Sequence, residues 1–221
     1  MNAALPLFAL DNANLHYQDK VVIQHASLCI RSGERVALIG KSGSGKTTLL
    51  RTLREQLPDA VAWCPQNPGL TPQLSVFHNI YIGALPRHTF LYNLLNLCKP
   101  LPKASAAVLE IARKVQLEDQ LYTSVDQLSG GQQQRTNIGR ALMQQRPAFF
   151  GDEPVSSVDD YQAQALLNTI VQQHKTVVLA LHDIPTALKT CSRVVGIKDG
   201  RIVLDKQSGT LSADELADIY R

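Results

Sequence analysis

The sequence predicts an α/β fold, a mostly parallel sheet with helices packed on its faces. Three observations carry that expectation. Arg35 to Ile39 is a short apolar run that leads straight into glycines, as a buried parallel strand does. Thr176 to Leu181 is a second such run, richer still in β-branched residues. Strand-like and helix-like segments alternate along the chain, with one interruption from Ser75 to about Val125.

The elements follow in order. The first part reads as β-rich, with Leu7 to Leu10 and then Ala26 to Ile30, whose character alternates, ahead of Arg35 to Ile39. After the glycines, Lys46 to Gln56 has helical composition, and Ala60 to Cys64 reads as a short strand. In the interrupted stretch, Leu74, Phe77, Ile80 and Tyr81 fit one helical face, and Val108, Ile111, Ala112 and Val115 another. Pro86, Pro100 and Pro102 punctuate it, so a small helical insert of about residues 75–125 is expected within one domain spanning 1–221. The core is then 1–74 and 126–221. Beyond the insert, Ala148 to Phe150 reads as a strand and Tyr161 to Gln173 as a helix. Arg193 to Ile197 and Ile202 to Leu204 flank the turn Asp199-Gly200, a hairpin signal.

Composition narrows the function classes. Hydrophobic residues are 44% and charged residues 19% of the 221, enough apolar material for a real core. Net charge is +3, and the Lys and Arg residues are scattered, so direct nucleic-acid binding is not expected. Cys29, Cys64, Cys98 and Cys191 lack metal-ligand or redox spacing and read as buried, reduced thiols of a cytosolic protein. The apolar run Ala3 to Leu10 has no basic leader and meets Asp11 too soon for a signal peptide. No apolar stretch is long enough to span a bilayer. Any membrane contact is therefore expected to come through a partner.

Gly40-Lys41-Ser42-Gly43-Ser44-Gly45-Lys46-Thr47 matches the phosphate-loop pattern in full, with a strand before it and a helix after. Its glycines let successive backbone N–H groups turn toward phosphate oxygens, and the following helix, which includes Thr48, adds its positive end. Lys46 is placed to neutralise the β- and γ-phosphates, and Thr47 to offer its hydroxyl to Mg²⁺. Such a loop needs a carboxylate at the end of a neighbouring strand. Asp152 fills that position for the metal, and Glu153 is placed to orient or deprotonate a water. ATP and Mg²⁺ are the expected cofactors.

Leu128 to Arg135, LSGGQQQR, is the most specific stretch, and on it the chain resembles the ATP-binding cassette (ABC) ATPases. That resemblance implies a P-loop NTPase, RecA-like core with an antiparallel β subdomain and a helical insert. Ser129, Gly130, Gly131 and Gln132 open a helix, whose N–H groups form a second anion site. In the family this site grips the γ-phosphate held on the other subunit's loop, so a dimer with two sandwiched nucleotides is implied. Tyr17 stands where the family places an aromatic that stacks on adenine. Gln66 matches the glutamine loop, which approaches Mg²⁺ and the attacking water and responds to the transport partner. Asp159, in Ser156-Ser157-Val158-Asp159, matches the loop that communicates across the dimer. His182 matches the switch histidine that contacts the γ-phosphate.

Two departures from the pattern stand out. Only 20 residues separate Lys46 from Gln66 (66 − 46), where family members carry a longer, β-rich connection. No C-terminal extension follows, so no regulatory domain is expected. Asn79 to Leu85, Thr89 to Cys98, Ala141 to Gln145 and Ala187 to Cys191 are similar to ATPases of phosphonate importers. The resemblance thus implies hydrolysis catalysed through Lys46, Gln66, Glu153 and His182. Implied partners are integral membrane permease subunits, a second ATPase subunit and, indirectly, a solute-binding protein. The implied location is the inner face of the cell membrane. A soluble ABC ATPase outside transport and a non-hydrolysing nucleotide module are the alternatives. The first commonly carries a coiled-coil insert or tandem cassette, and the second lacks the catalytic Glu or the switch His.

Overall fold

The computed structural model describes residues 6–220, so Ala3 to Leu5 of the apolar N-terminal run lie outside it. In chain order its elements are β1 (Phe8–Tyr17), β2 (Lys20–Ile30), β3 (Arg35–Ile39), α1 (Lys46–Gln56) and β4 (Val61–Cys64). Then come α2 (Val76–Tyr81), α3 (Phe90–Cys98), α4 (Pro102–Lys114), α5 (Gly130–Met143) and β5 (Ala148–Asp152). The chain closes with α6 (Asp160–Gln173), β6 (Thr176–Ala180), α7 (Ile184–Thr190), β7 (Arg193–Lys198), β8 (Arg201–Gln207) and α8 (Ala213–Tyr220). They form two compact units. One comprises Met1–Val61, Pro147–Glu153 and His174–Arg221, and the other Ala62–Arg146 and Pro154–Gln173.

In the first unit, strands lie in the order β5-β6-β3-β7-β8. Val36, Ala37, Leu38 and Ile39 are wholly buried, which is why β3 takes a central place, pairing in parallel with both β6 and β7. β8 returns antiparallel through Asp199-Gly200, both at positive φ (48° and 68°), as a tight hairpin turn of the favoured hand requires. α1 buries Leu49, Leu50 and Leu53, each worth roughly 1.5–3 kcal/mol on burial. Phe8 of β1 meets Phe150 of β5 at 4.9 Å between ring centroids. β1 and β2 form a separate antiparallel pair.

The boundaries differ from expectation in instructive places. β1 does not stop at Leu10. It continues to Tyr17 through Asp11, Asn12 and Asn14, residues of poor strand propensity, with register shifts beyond Leu10. β2 starts at Lys20 rather than Ala26. Between Lys46 and Gln66 the chain holds α1, the short 3₁₀ turn Pro58–Ala60 and β4. The antiparallel subdomain is accordingly a two-stranded pair among the described residues.

The second unit is helical. Phe77 and Ile80 of α2, Val108, Ile111 and Ala112 of α4, and Ile138 of α5 supply its buried apolar face. Leu74 lies ahead of α2, whose N-cap is Ser75, so it extends the apolar pattern without joining the helix. α6 buries Leu166, Leu167 and Ile170.

Candidate active site

The first unit assembles its site at the carboxyl ends of β3, β5 and β6. β3 delivers the chain to Gly40, where a side chain would strike the Ile197 carbonyl oxygen at 2.3 Å. Gly45 is the N-cap of α1 at φ 107°, with Ile23 and Val22 of β2 pressed against the position a Cβ would take. The loop thus needs glycine at both ends, each time for space and for backbone sign, since Gly40 also has a positive φ of 152°. Lys41, Ser42, Gly43 and Ser44 line an open cleft that Lys198, Asp199 and Gly200 close on its other side.

Lys46 is buried, and its ammonium donates to the carbonyls of Gly40 (2.7 Å) and Lys41 (3.1 Å). Burial lowers its pKa, while Glu153 and Asp152 hold the charge in place. Thr47 Oγ1 donates to Asp152 Oδ2 at 2.7 Å. Thr48, next in α1, is buried. β5 runs to Asp152 rather than stopping at Phe150, and strand pairing with Ala180 fixes that carboxylate. Burial pushes the Asp152 carboxyl above the ordinary carboxylate range; the Thr47 hydrogen bond opposes this, Glu153 adds to it, and Lys46 and Arg51 oppose it.

Glu153 adopts φ 51°, uncommon for a residue with a side chain, and its N–H donates to the Ala180 carbonyl at 3.0 Å. That turn directs its carboxylate to His182, whose Nε2 meets Glu153 Oε1. His182 directly follows β6 and Leu181, and the Tyr220 hydroxyl of α8 donates to its carbonyl at 3.4 Å. Lys46, Thr47, Asp152, Glu153 and His182 are therefore gathered within one unit. Tyr17 ends β1 in the same unit, 53% exposed, with an open aromatic face.

The residues of the second unit form their own assembly around α5. Ser129 caps α5 in a reciprocal capping box: its hydroxyl accepts from Gln132 N–H, and Gln132 Oε1 accepts from Ser129 N–H at 2.9 Å. Gln132's side chain therefore serves the helix start. Gly130 has open space around it, whereas a Cβ on Gly131 would sit 2.9 Å from the Ser157 carbonyl oxygen. Asp159 accepts from Gln162 N–H at 3.0 Å and so opens α6. Gln66 follows β4 on an exposed loop.

Three residues of this unit escape sequence reading. Gln134 Oε1 accepts from Ser157 N–H at 2.6 Å, and its amide donates to Ser156 Oγ at 3.1 Å. Asn137 donates to the Pro65 carbonyl at 2.8 Å. Arg140 donates to the carbonyls of Pro68 and Gly69. α5 therefore holds the Gln66 loop from both flanks and the Ser156–Asp159 loop along one side. These partners lie 22 or more residues apart in sequence, so local pattern carries no signal for them.

Whether the first unit fits a divalent cation is decided by Asp152. Its Oδ1 is buried with no hydrogen-bond partner, beside a hydroxyl already bonded to Oδ2. A carboxylate with one satisfied and one unsatisfied buried oxygen suits a hard cation with oxygen ligands.

A family model described as ABC transporter matches residues 23–60 and 54–156. A phosphonates import ATP-binding protein of Maricaulis maris is 33% identical over 252 aligned positions, covering 99% of this chain and 94% of the relative. Its counterpart from Stutzerimonas stutzeri is 35% identical, covering 100% of this chain and 90% of the relative. Among solved structures, the dimeric bacterial ABC transporter cassette MJ0796 superposes with a TM-score of 0.79 at 23% identity. That match covers 91% of this chain and 99% of the cassette.

Proposed function

The chain belongs to the ABC transporter family, and on that premise we propose that it is the ATP-hydrolysing subunit of an importer for phosphonates or a related small oxyanion. The observation that carries the catalytic part is the convergence of Lys46, Thr47, Asp152, Glu153 and His182 at one end of the sheet. The near full-length likeness to two named phosphonate import proteins supports the substrate class.

In this reading, the β- and γ-phosphates take over Lys46 from the Gly40 and Lys41 carbonyls, and the N–H groups of residues 40–48 surround them. Mg²⁺, when bound, would offset the negative charge of the phosphates. Thr47 and Asp152 would hold it, and Gln66 keeps the role its motif implies. Glu153 accepts the proton of the attacking water, which requires it to give up His182 as a partner. His182 is then free for the γ-phosphate. Catalysis by this set is positioning and electrostatics. Tyr17 supplies a ring for the adenine.

We further propose a dimer, with Ser129, Gly130 and Gly131 of each subunit reaching the phosphates on the other and Asp159 carrying the signal across. α5 suits that task because Ser129 and Gly130 at its start are exposed and its first turn carries no acidic residue. No helix among the described residues is long and apolar enough to cross a membrane. Association with the inner face of the cell membrane would come through permease subunits, served by a solute-binding protein.

Glu153→Gln provides the test. ATP binding should survive, while hydrolysis falls by about 10²–10⁴-fold and the closed dimer accumulates on gel filtration. Turnover near wild type would remove Glu153 from catalysis. For the transport role, the chain should co-purify with an integral membrane protein and support phosphonate uptake. Purification free of any membrane protein, with no uptake defect on deletion, would favour a soluble ATPase instead.

A further inference from the structure

β3 and β6 lie side by side in parallel, with Leu38 opposite Ala180. One step beyond β6, Leu181 N–H still donates to the Leu38 carbonyl at 3.0 Å. The same register carried two residues past Leu38 sets Gly40 beside His182. These are the first residue of the phosphate-loop pattern and the histidine that meets Glu153. Tyr220, the last residue of α8, reaches both. Its hydroxyl donates to the His182 carbonyl at 3.4 Å, and the Gly40 backbone hydrogen-bonds the same oxygen. Burial raises the Tyr220 pKa, which keeps the proton on the hydroxyl at neutral pH; the Gly40 bond lowers it, the mark of an N–H donor, and Asp183 raises it. The hydroxyl therefore accepts from one strand end and donates to the next, a side-chain rung where the backbone ladder runs out.

The rest of α8 holds Tyr220 in that place. Ser212 and Glu215 close a capping box at its start, Ser212 N–H donating to Glu215 Oε2 at 3.0 Å and Glu215 N–H to Ser212 Oγ at 3.2 Å. Lys206 of β8 pairs with Glu215. Lys198, which ends β7, donates to the Asp218 carbonyl at 2.8 Å, a group that the last helical turn leaves without an internal partner. Ile219 is buried so close to β7 that a Cβ on Gly196 would stand 2.6 Å from its Cδ1. An eight-residue helix is marginal alone, and these contacts fix it to the strand beside β3. Packing accounts for buried Leu216 and Ile219. It does not account for a hydroxyl set between the loop and the histidine.

We propose that Tyr220 is a positioning residue for ATP hydrolysis, its hydroxyl fixing the backbone of His182 against the first residue of the phosphate loop. In the nucleotide reading of the loop and of His182, on which this rests, the imidazole leaves Glu153 for the γ-phosphate and must arrive at a set place. With its carbonyl anchored, His182 turns its ring without moving its backbone, so fewer misplaced arrangements compete. Tyr220 acts through His182 and brings α8 into the site.

ATP hydrolysis by the full-length chain, with kcat and KM taken separately, tests it. Tyr220→Phe deletes only the oxygen. It should lower kcat about threefold to tenfold, with KM within about twofold and a melting temperature within about 3 °C of wild type. In a His182→Ala background the same substitution should change kcat by less than about 1.5-fold, since the ring it positions is gone. Three results overturn the proposal: an unchanged kcat in Tyr220→Phe, a loss carried by KM alone, or an equal loss with and without the His182 side chain. A Tyr220→Phe chain that no longer folds overturns it too, by making the hydroxyl structural. A wild type that neither binds nor hydrolyses ATP would sink the nucleotide reading itself, whereas an active wild type matched by Tyr220→Phe sinks this proposal alone.

Discussion

Thr47 Oγ1 donates to one oxygen of Asp152 at 2.7 Å while the other oxygen of that carboxylate is buried without a partner. The carboxylate is therefore charged at a cost to the fold. Its pKa is raised by burial, and a raised acid pKa means that ionisation opposes folding as pH rises through the folded value. Asp152→Asn should give the nucleotide-free protein an equal or higher melting temperature at neutral pH while weakening Mg²⁺-dependent nucleotide binding at least about tenfold. Calorimetry and a nucleotide titration with and without Mg²⁺ check both halves. A destabilised variant with normal Mg²⁺ dependence would contradict the assignment.

Glu153 and His182 touch, so their contributions should not add. His182→Ala is expected to lower kcat by about 10-fold to 10³-fold, within the range for a group acting on proton transfer or charge. The double variant His182→Ala/Glu153→Gln should fall no more than a few-fold below Glu153→Gln alone. Single-turnover phosphate release measures all three, and strictly multiplicative losses would show two independent roles.

Gln134 ties α5 to the loop after Glu153 by two hydrogen bonds. Gln134→Ala should cost about 1 kcal/mol per bond at most, seen as a few degrees in melting temperature. ATP affinity should hold while steady-state hydrolysis drops. Equal losses in binding and hydrolysis would indicate a general folding defect.

Much of this was legible in the chain. α1 and β3 fall where the sequence places them, because the glycine loop and unbroken apolar runs are strong local signals. The places of the phosphate loop, Asp152, Glu153 and His182 in the fold were readable for the same reason, since each sits at an element end marked by a motif. β1 was cut short because Asp11, Asn12 and Asn14 hide a strand that tertiary pairing enforces. Asn137 and Arg140 were invisible, because their partners are 71 or more residues away in sequence. The cysteines were misjudged together. Cys64 and Cys191 are buried, but Cys98 is exposed and Cys29 half-buried, since nothing in the apolar pattern of α3 announces that its leucines face outward.

That correction yields a thiol prediction. Burial pushes the Cys191 thiol up to about 12, so it should stay silent toward an alkylating reagent at pH 8. Cys98 should react fully in the native protein, and Cys98→Ala should remove the fast phase of a thiol titration. A fast phase that persists would show that α3 does not expose this residue.

The start of α8 offers a pH test. Glu215 accepts from Ser212 N–H at 3.0 Å, and Lys206 meets its other oxygen. The Lys206 hydrogen bond first, and Ser212 after it, hold its carboxyl down to about 2 from 4.5. A depressed acid pKa contributes stability above 4.5 that is lost as pH falls toward 2. Glu215→Gln should therefore melt below wild type at pH 7, with the gap closing across that window. A gap constant from pH 7 to pH 2 would rule out the charge as its source.

Lys46 has a further consequence. Its ammonium is bound to two backbone carbonyls of its own loop. A newcomer gains Lys46 only by outbidding two neutral oxygens. A chain of two or three phosphates brings enough negative charge to do so, and a bare nucleoside brings none. In the proposed reading the loop thereby sets an entry threshold on charge density, sorting ligands by their phosphates before any base or sugar is read.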